Sequence, residues 1–168
     1  RTRASGRGRA AEGRRGGVEI EAAVASGDSI GKSVTMQLQG GTIGVRVDSR
    51  TILDDDSGDT ERLPLADIRP GAFLEIEALR QGAELVATRI DREEPQDDVL
   101  QGTLESFTSG GSIVVLGITY STTGAQFKSL DNASLTPTEF YAALAPGATD
   151  IVLRSMMDIA RRTQRRRH

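Results

Sequence analysis

Pro70-Gly71-Ala72-Phe73-Leu74-Glu75-Ile76-Glu77 reads as a turn feeding a strand, and the same grammar returns at Pro146-Gly147 ahead of Asp150-Ile151-Val152-Leu153-Arg154. The offset from Gly71 to Gly147 is about 76 residues, and a fixed offset between similar stretches marks a duplicated unit. The fold question therefore reduces to one small module. In 168 residues two copies leave each near the lower limit for an independent core, so burying a mutual interface helps both.

Working outward from Phe73, the first copy starts at Val18, where Val18, Ile20, Ala22 and Val24 alternate with Glu19, Glu21 and Ala23, the period of a half-buried strand. Val34, Met36 and Leu38 alternate in the same way up to Gly40-Gly41, and Ile43, Val45 and Val47 follow, which predicts a hairpin. Leu63 to Ile68 is long enough for one helical turn before Pro70-Gly71 stops it, and Gln81-Gly82 divides the last two strands. The expected core is Ile20, Val24, Val34, Met36, Leu38, Val45, Val47, Leu65, Ile68, Phe73, Leu74, Ile76, Leu85, Val86 and Ile90. Strand, strand, strand, short helix, strand, strand is the order of an oligonucleotide/oligosaccharide-binding (OB) type barrel.

The second copy runs from Val99 through a Ser109-Gly110-Gly111 turn, Ile113 to Leu116 and Ile118 to Ser121. Its helix is more explicit, with Thr136 as N-cap, Pro137 at the first helical position, Glu139 completing a capping box and an apolar face of Phe140, Ala143 and Leu144. Met156, Met157, Ile159 and Ala160 make a weak closing strand. The expected fold class is all-β with one short helix per module: two tandem small OB-like five-stranded barrels, residues 18–92 and 99–160, joined by the polar linker 93–98. A basic arm, 1–17, and a basic tail, 161–168, flank them.

The net charge of −3 conceals segregation. Arg1, Arg3, Arg7, Arg9, Arg14 and Arg15 crowd the arm, and Arg161, Arg162, Arg165, Arg166 and Arg167 crowd the tail, leaving the body between them strongly acidic. Three readings stand: solvated tails, arms for a polyanion such as nucleic acid, lipid headgroups or acidic surface glycan, and self-association of arms with the acidic body of another copy. There is no cysteine, so disulfides and thiolate metal sites are excluded. No apolar run approaches 18 residues, so no transmembrane helix is expected, and with Arg1 in first place any export signal is expected to have been removed or to lie outside the sequence.

Catalytic chemistry is not expected. Gly27-Asp28-Ser29-Ile30-Gly31-Lys32-Ser33 is one residue short of a phosphate-binding P-loop and joins two strands. The only histidine is His168, which disfavours nucleophile–histidine pairs and histidine-bound zinc. Glu75 and Glu77 share one face of a strand and read as its wet side. Asn132-Ala133-Ser134 fits the glycosylation sequon, which acts only in a secretory pathway that uses it. The one cofactor candidate is calcium: Asp54, Asp56, Asp59 and Glu61 gather hard oxygen ligands around Gly58, against the alternative of a solvated acidic turn.

The stretches Gly31-Lys32-Ser33-Val34-Thr35-Met36, Ser49-Arg50-Thr51-Ile52-Leu53, Ala66-Asp67-Ile68-Arg69-Pro70-Gly71-Ala72-Phe73-Leu74-Glu75-Ile76-Glu77-Ala78 and Leu85-Val86-Ala87-Thr88-Arg89-Ile90 resemble a bacterial β-barrel module of an uncharacterised family, a domain of unknown function. The resemblance implies a tandem, extracytoplasmic, non-enzymatic protein and assigns no catalytic residue. Phe73 is the only aromatic between Val18 and Asp91, so the stacking platform of single-strand nucleic-acid binders is missing there. The expected role is a secreted or cell-surface structural or adhesive repeat that assembles with copies of itself. The alternative is a nucleic-acid or polyanion binder using its arginine-rich arms.

Overall fold

The computed structural model describes residues 17–55, 63–129, 131–154 and 158–163. The chain is mostly β. Six strands form the first half: β1 (Gly17–Asp28), β2 (Ser33–Leu38), β3 (Gly41–Arg46), β4 (Ile52–Asp55), β5 (Phe73–Gln81) and β6 (Glu84–Glu93), with a 3-10 turn at Leu65–Asp67. The second half holds β7 (Val99–Thr108), β8 (Ser112–Val115), β9 (Ile118–Ser121), β10 (Gln126–Lys128), β11 (Ser134–Leu135), the helix α1 (Pro137–Ala142), β12 (Thr149–Arg154) and β13 (Asp158–Thr163).

The two Pro-Gly stretches share a backbone geometry. Gly71 and Gly147 both adopt positive φ, 91° and 83°, a conformation that L side chains resist. Each donates its N–H to the first strand of its own half, Gly71 to Val24 O at 2.9 Å and Gly147 to Leu104 O at 2.8 Å. The register of β1 against β2 shifts between Val24 and Ser26, and that of β7 against β8 shifts between Leu104 and Ser106. A bulge bends and twists its strand, so β1 and β7 are each bent beside the residue that accepts from the Pro-Gly glycine.

In the first half antiparallel pairs run β1–β2–β3 and β1–β5–β6, and a single parallel bridge, Arg46 to Val86, joins β3 to β6 and completes a cycle. In the second half β7–β8–β9 and β7–β12–β13 repeat that order. There, among the described residues, β9 pairs with β8 alone. The first half carries one short strand beyond the five expected and the second half two: β4 lies parallel on β6, β10 lies parallel on β13, and β11 pairs antiparallel with β10. Three or four residues held by a distant parallel neighbour leave no alternation to read. The halves join where β1 pairs with β7 at Glu19–Glu21, and where Ile118 packs on the β2–β3 turn. Gly40 supplies the turn's positive φ of 97°, and a Cβ at Gly40 or Gly41 would stand 3.3 or 3.4 Å from Ile118.

The inward rows are buried as expected, with Ile20, Val34, Met36, Leu74, Ile76 and Ile90 at zero exposure. Leu65 is an exception: it is only partly buried, and Leu63 takes the core position instead, because the 3-10 turn is too short to present a second apolar residue inward. In α1 the capping box forms as read, Thr136 Oγ1 accepting from Glu139 N at 3.1 Å and Glu139 Oε1 from Thr136 N at 2.8 Å. The buried face is Phe140 and Tyr141, not Ala143 and Leu144, since the helix ends at Ala142 and Ala143 serves as its C-cap. Phe127 stacks on Phe140 with centroids 4.4 Å apart, and the Tyr141 hydroxyl meets Thr122 Oγ1 at 2.6 Å. Strand β13 continues through Arg161 and Arg162 to Thr163, further than the expected end at Ala160, because β12 pairs with it along its whole length. Met156 and Met157 lie outside the described residues.

Candidate functional site

Several sequence candidates resolve locally. In the P-loop-like segment Asp28 Oδ1 accepts from Ile30 N at 3.1 Å and from Gly31 N at 2.8 Å, closing the turn between β1 and β2. Of the four calcium candidates, Asp54 bonds the Arg89 guanidinium, which also reaches Asp91 Oδ2 at 3.1 Å. Asp56, Asp59 and Glu61 lie outside the described residues, as do Arg1, Arg3, Arg7, Arg9, Arg14, Arg15, Arg165, Arg166 and Arg167. An arginine on Asp54 supplies the positive charge that a calcium ion would otherwise provide, which favours the acidic-turn reading at that residue.

The wet-face reading of Glu75 and Glu77 needs correction. Glu75 is 8% exposed and Asp91 only 1%. The outward rows of three strands meet there: across β1, β5 and β6 the register places Glu21 opposite Glu75 and Glu75 opposite Asp91, with Glu19 opposite Glu77 and Glu77 opposite Arg89. Carboxylate oxygens of Glu19, Glu21 and Glu75 lie within 4.8 Å of one another, as do those of Glu75, Asp91 and Glu93. Like charges directly opposite destabilise a sheet. The cluster relieves this by keeping protons. Burial, then the hydrogen bond and charge of Glu93, then Glu19, push Glu75 up to about 8. Burial, then Glu21, push Glu19 up to about 7.

Glu75 belongs to both triads and is the centre of the face. At neutral pH it holds a proton that it can donate in a hydrogen bond to a neighbouring carboxylate. The oxygens present are also the hard ligands that calcium or magnesium takes. Sequence reasoning passed over Glu19, Glu21, Asp91 and Glu93; the available signal was an acid-X-acid pair in each of three strands, at 19/21, 75/77 and 91/93.

Two adjoining clefts lie at the joint between the halves. The larger, about 600 Å³, is bordered by β3, the β5–β6 turn and the β8–β9 turn. The smaller, about 540 Å³, includes Val18 and Pro146-Gly147, and both share Arg80, Glu105 and Leu116. Arg46 Nε bonds Glu84 Oε1 at 3.0 Å, Arg80 stands 3.9 Å from Glu105, and Glu105 accepts from Gly117 N at 3.2 Å.

No helix among the described residues is long and apolar enough to cross a membrane. No curated protein and no solved structure matches the chain. Residues 20–91 match a family described as a domain of unknown function, DUF5666; the match begins at Ile20 in β1 and ends at Asp91 in β6.

Proposed function

We propose that the chain is a non-enzymatic structural or adhesive repeat of the cell exterior, made of two OB-like barrels that assemble with copies of themselves. The closed cycle of pairs in the first half, the parallel β3–β6 bridge and the repeated bulge support the barrel reading. One observation carries the function: the halves share hydrogen-bonded strands at β1–β7 and a knob-in-notch contact at Ile118, which makes the tandem one continuous element able to transmit load. The polyanion reading is less favoured, because the described sheet face gathers the carboxyl groups of Glu19, Glu21, Glu75 and Glu77, a poor counterpart for an anionic ligand.

Protease shaving of intact cells, followed by immunodetection, tests the placement. The expected result is loss of the protein from unlysed cells, with a deletion strain attaching poorly to surfaces or to other cells. A protein protected until lysis overturns the reading.

A further inference from the structure

We propose that the larger cleft, between β3 and the β8–β9 turn, is a docking groove for a partner polypeptide, which it takes as an extended, uncharged segment added to the edge of β3. This does not rest on the proposed role of the protein.

The edge is defined by register. Val47 N donates to Lys32 O at 2.8 Å, which turns the odd-numbered residues of β3 toward β2 and points the N–H and C=O of Thr42 and Gly44 the other way. Among the described residues β6 meets β3 on that side at Arg46 alone. Five consecutive residues, Thr42 to Arg46, border the cleft, although Ile43 and Val45 turn their side chains into the core. The wall that β3 offers is therefore main chain. Gly44 is exposed, and a Cβ built on it would meet nothing within 4 Å, so no described residue stands over the middle of the edge. Edge groups of this kind are matched by an extended polypeptide.

Charge, the far wall and shape choose the occupant. The charges of the cleft already satisfy one another: Arg46 Nε bonds Glu84 Oε1 at 3.0 Å, and Arg80 stands 3.9 Å from Glu105, whose carboxylate also accepts from Gly117 N at 3.2 Å. A charged segment would have to break one of these pairs or lie unpaired beside them, whereas an uncharged one leaves both intact. The far wall includes Leu116, half-buried and shared by both clefts, which holds φ at 52°, a conformation that a branched side chain resists. The bond from Gly117 N to Glu105 holds the turn, and a Cβ at Gly102 would stand 3.5 Å from Leu116 Cγ. Residues kept in such conformations cluster at ligand sites, and this one offers an apolar contact opposite the edge. Among the described residues no aromatic lines either cleft, which removes the stacking that single-stranded nucleic acids use. A second folded copy does not fit, because β3 is recessed between the β5–β6 turn and Leu116-Gly117. The same recess in the other copy keeps two β3 edges from coming within the strand spacing of about 4.8 Å.

Random short peptides selected on the full chain by phage display, then synthesised, test the groove. The expected ligands are uncharged over the bound segment and carry an apolar residue there, and residue-resolved hydrogen exchange should show the Thr42 and Gly44 amides newly protected in the complex. Methylating one alternating set of ligand backbone nitrogens, the set that faces β3, should weaken binding at least about 10-fold, and methylating the other set should not. Gly44→Pro removes a donor from the edge itself and should weaken binding by a similar factor. Proline is accepted on an edge strand, and should the variant fail to fold, the methylated ligands and the exchange of the unaltered chain decide alone. Selection of no peptide, selection of charged peptides, or binding indifferent to methylation of either set overturns the proposal. Thr42 and Gly44 amides already protected in the free chain also overturn it, and protection that grows with protein concentration would assign the edge to another copy.

Discussion

Replacing Glu75 with Gln should make the protein more stable in alkaline solution and flatten its pH dependence. Glu75 titrates near 8 in the folded chain against 4.5 for an ordinary glutamate, and Glu19 near 7. A folded pKa above the unfolded one means that the folded chain binds more protons between the two values, so stability falls as pH rises. The contribution is complete below about pH 4.5 and is lost through pH 7 to 8. One pKa unit is about 1.4 kcal/mol, so Glu75 taken alone has a ceiling near 5 kcal/mol. Glu19 and Glu75 perturb each other, so their contributions overlap, and partial solvent access screens both. A combined loss of about 2 to 3 kcal/mol between pH 5 and 9 is the reasonable magnitude. At about 2 to 4 °C per kcal/mol for a chain of this size, Tm should drop by roughly 5 to 10 °C. The window opens at pH 5 so that ordinary carboxylates are mostly ionised in both states. Glu75→Gln keeps a hydrogen-bond donor in place of the protonated acid and carries no charge at any pH. Calorimetry across the window should show at least half of the drop removed. A wild-type Tm that is flat from pH 5 to 9, or a Gln variant with the whole drop, would refute the assignment of protons to this face.

Ile76→Ala, at a position with zero exposure, should destabilise by about 2 to 5 kcal/mol in urea unfolding; a change below ~0.5 kcal/mol would mean that the inward row of β5 is misassigned. Gly41→Val places branches beyond a Cβ that already stands 3.4 Å from Ile118, so a loss of about 1 to 3 kcal/mol should accompany faster proteolysis within 94–98 as the halves part, and unchanged proteolysis argues against the notch. Thr136→Ala removes the cap of α1 and should cost about 1 kcal/mol, read as a lower Tm; no shift would show that tertiary packing alone holds the helix.

The sequence by itself determined what depends on neighbours along the chain. Alternation placed Ile20, Val34 and Ile76 inward, because a strand's side chains change face at every residue. Thr136, Pro137 and Glu139 announced a helix start whose partners lie within one turn. Gly71 and Gly147 marked turns ahead of strands, because the required φ excludes most other residues. The tertiary structure alone decided which strands became neighbours. Glu21, Glu75 and Asp91 each look like a solvated strand residue until pairing sets them side by side across three strands, and only then do burial and the neighbouring carboxylates hold a proton on Glu75. Strand β4 likewise depends on a parallel partner far along the chain, and β10 on parallel β13 together with antiparallel β11. Among the described residues β6 meets β3 at Arg46 alone, a divergence set by the bend and twist of packed strands rather than by any local run of residues.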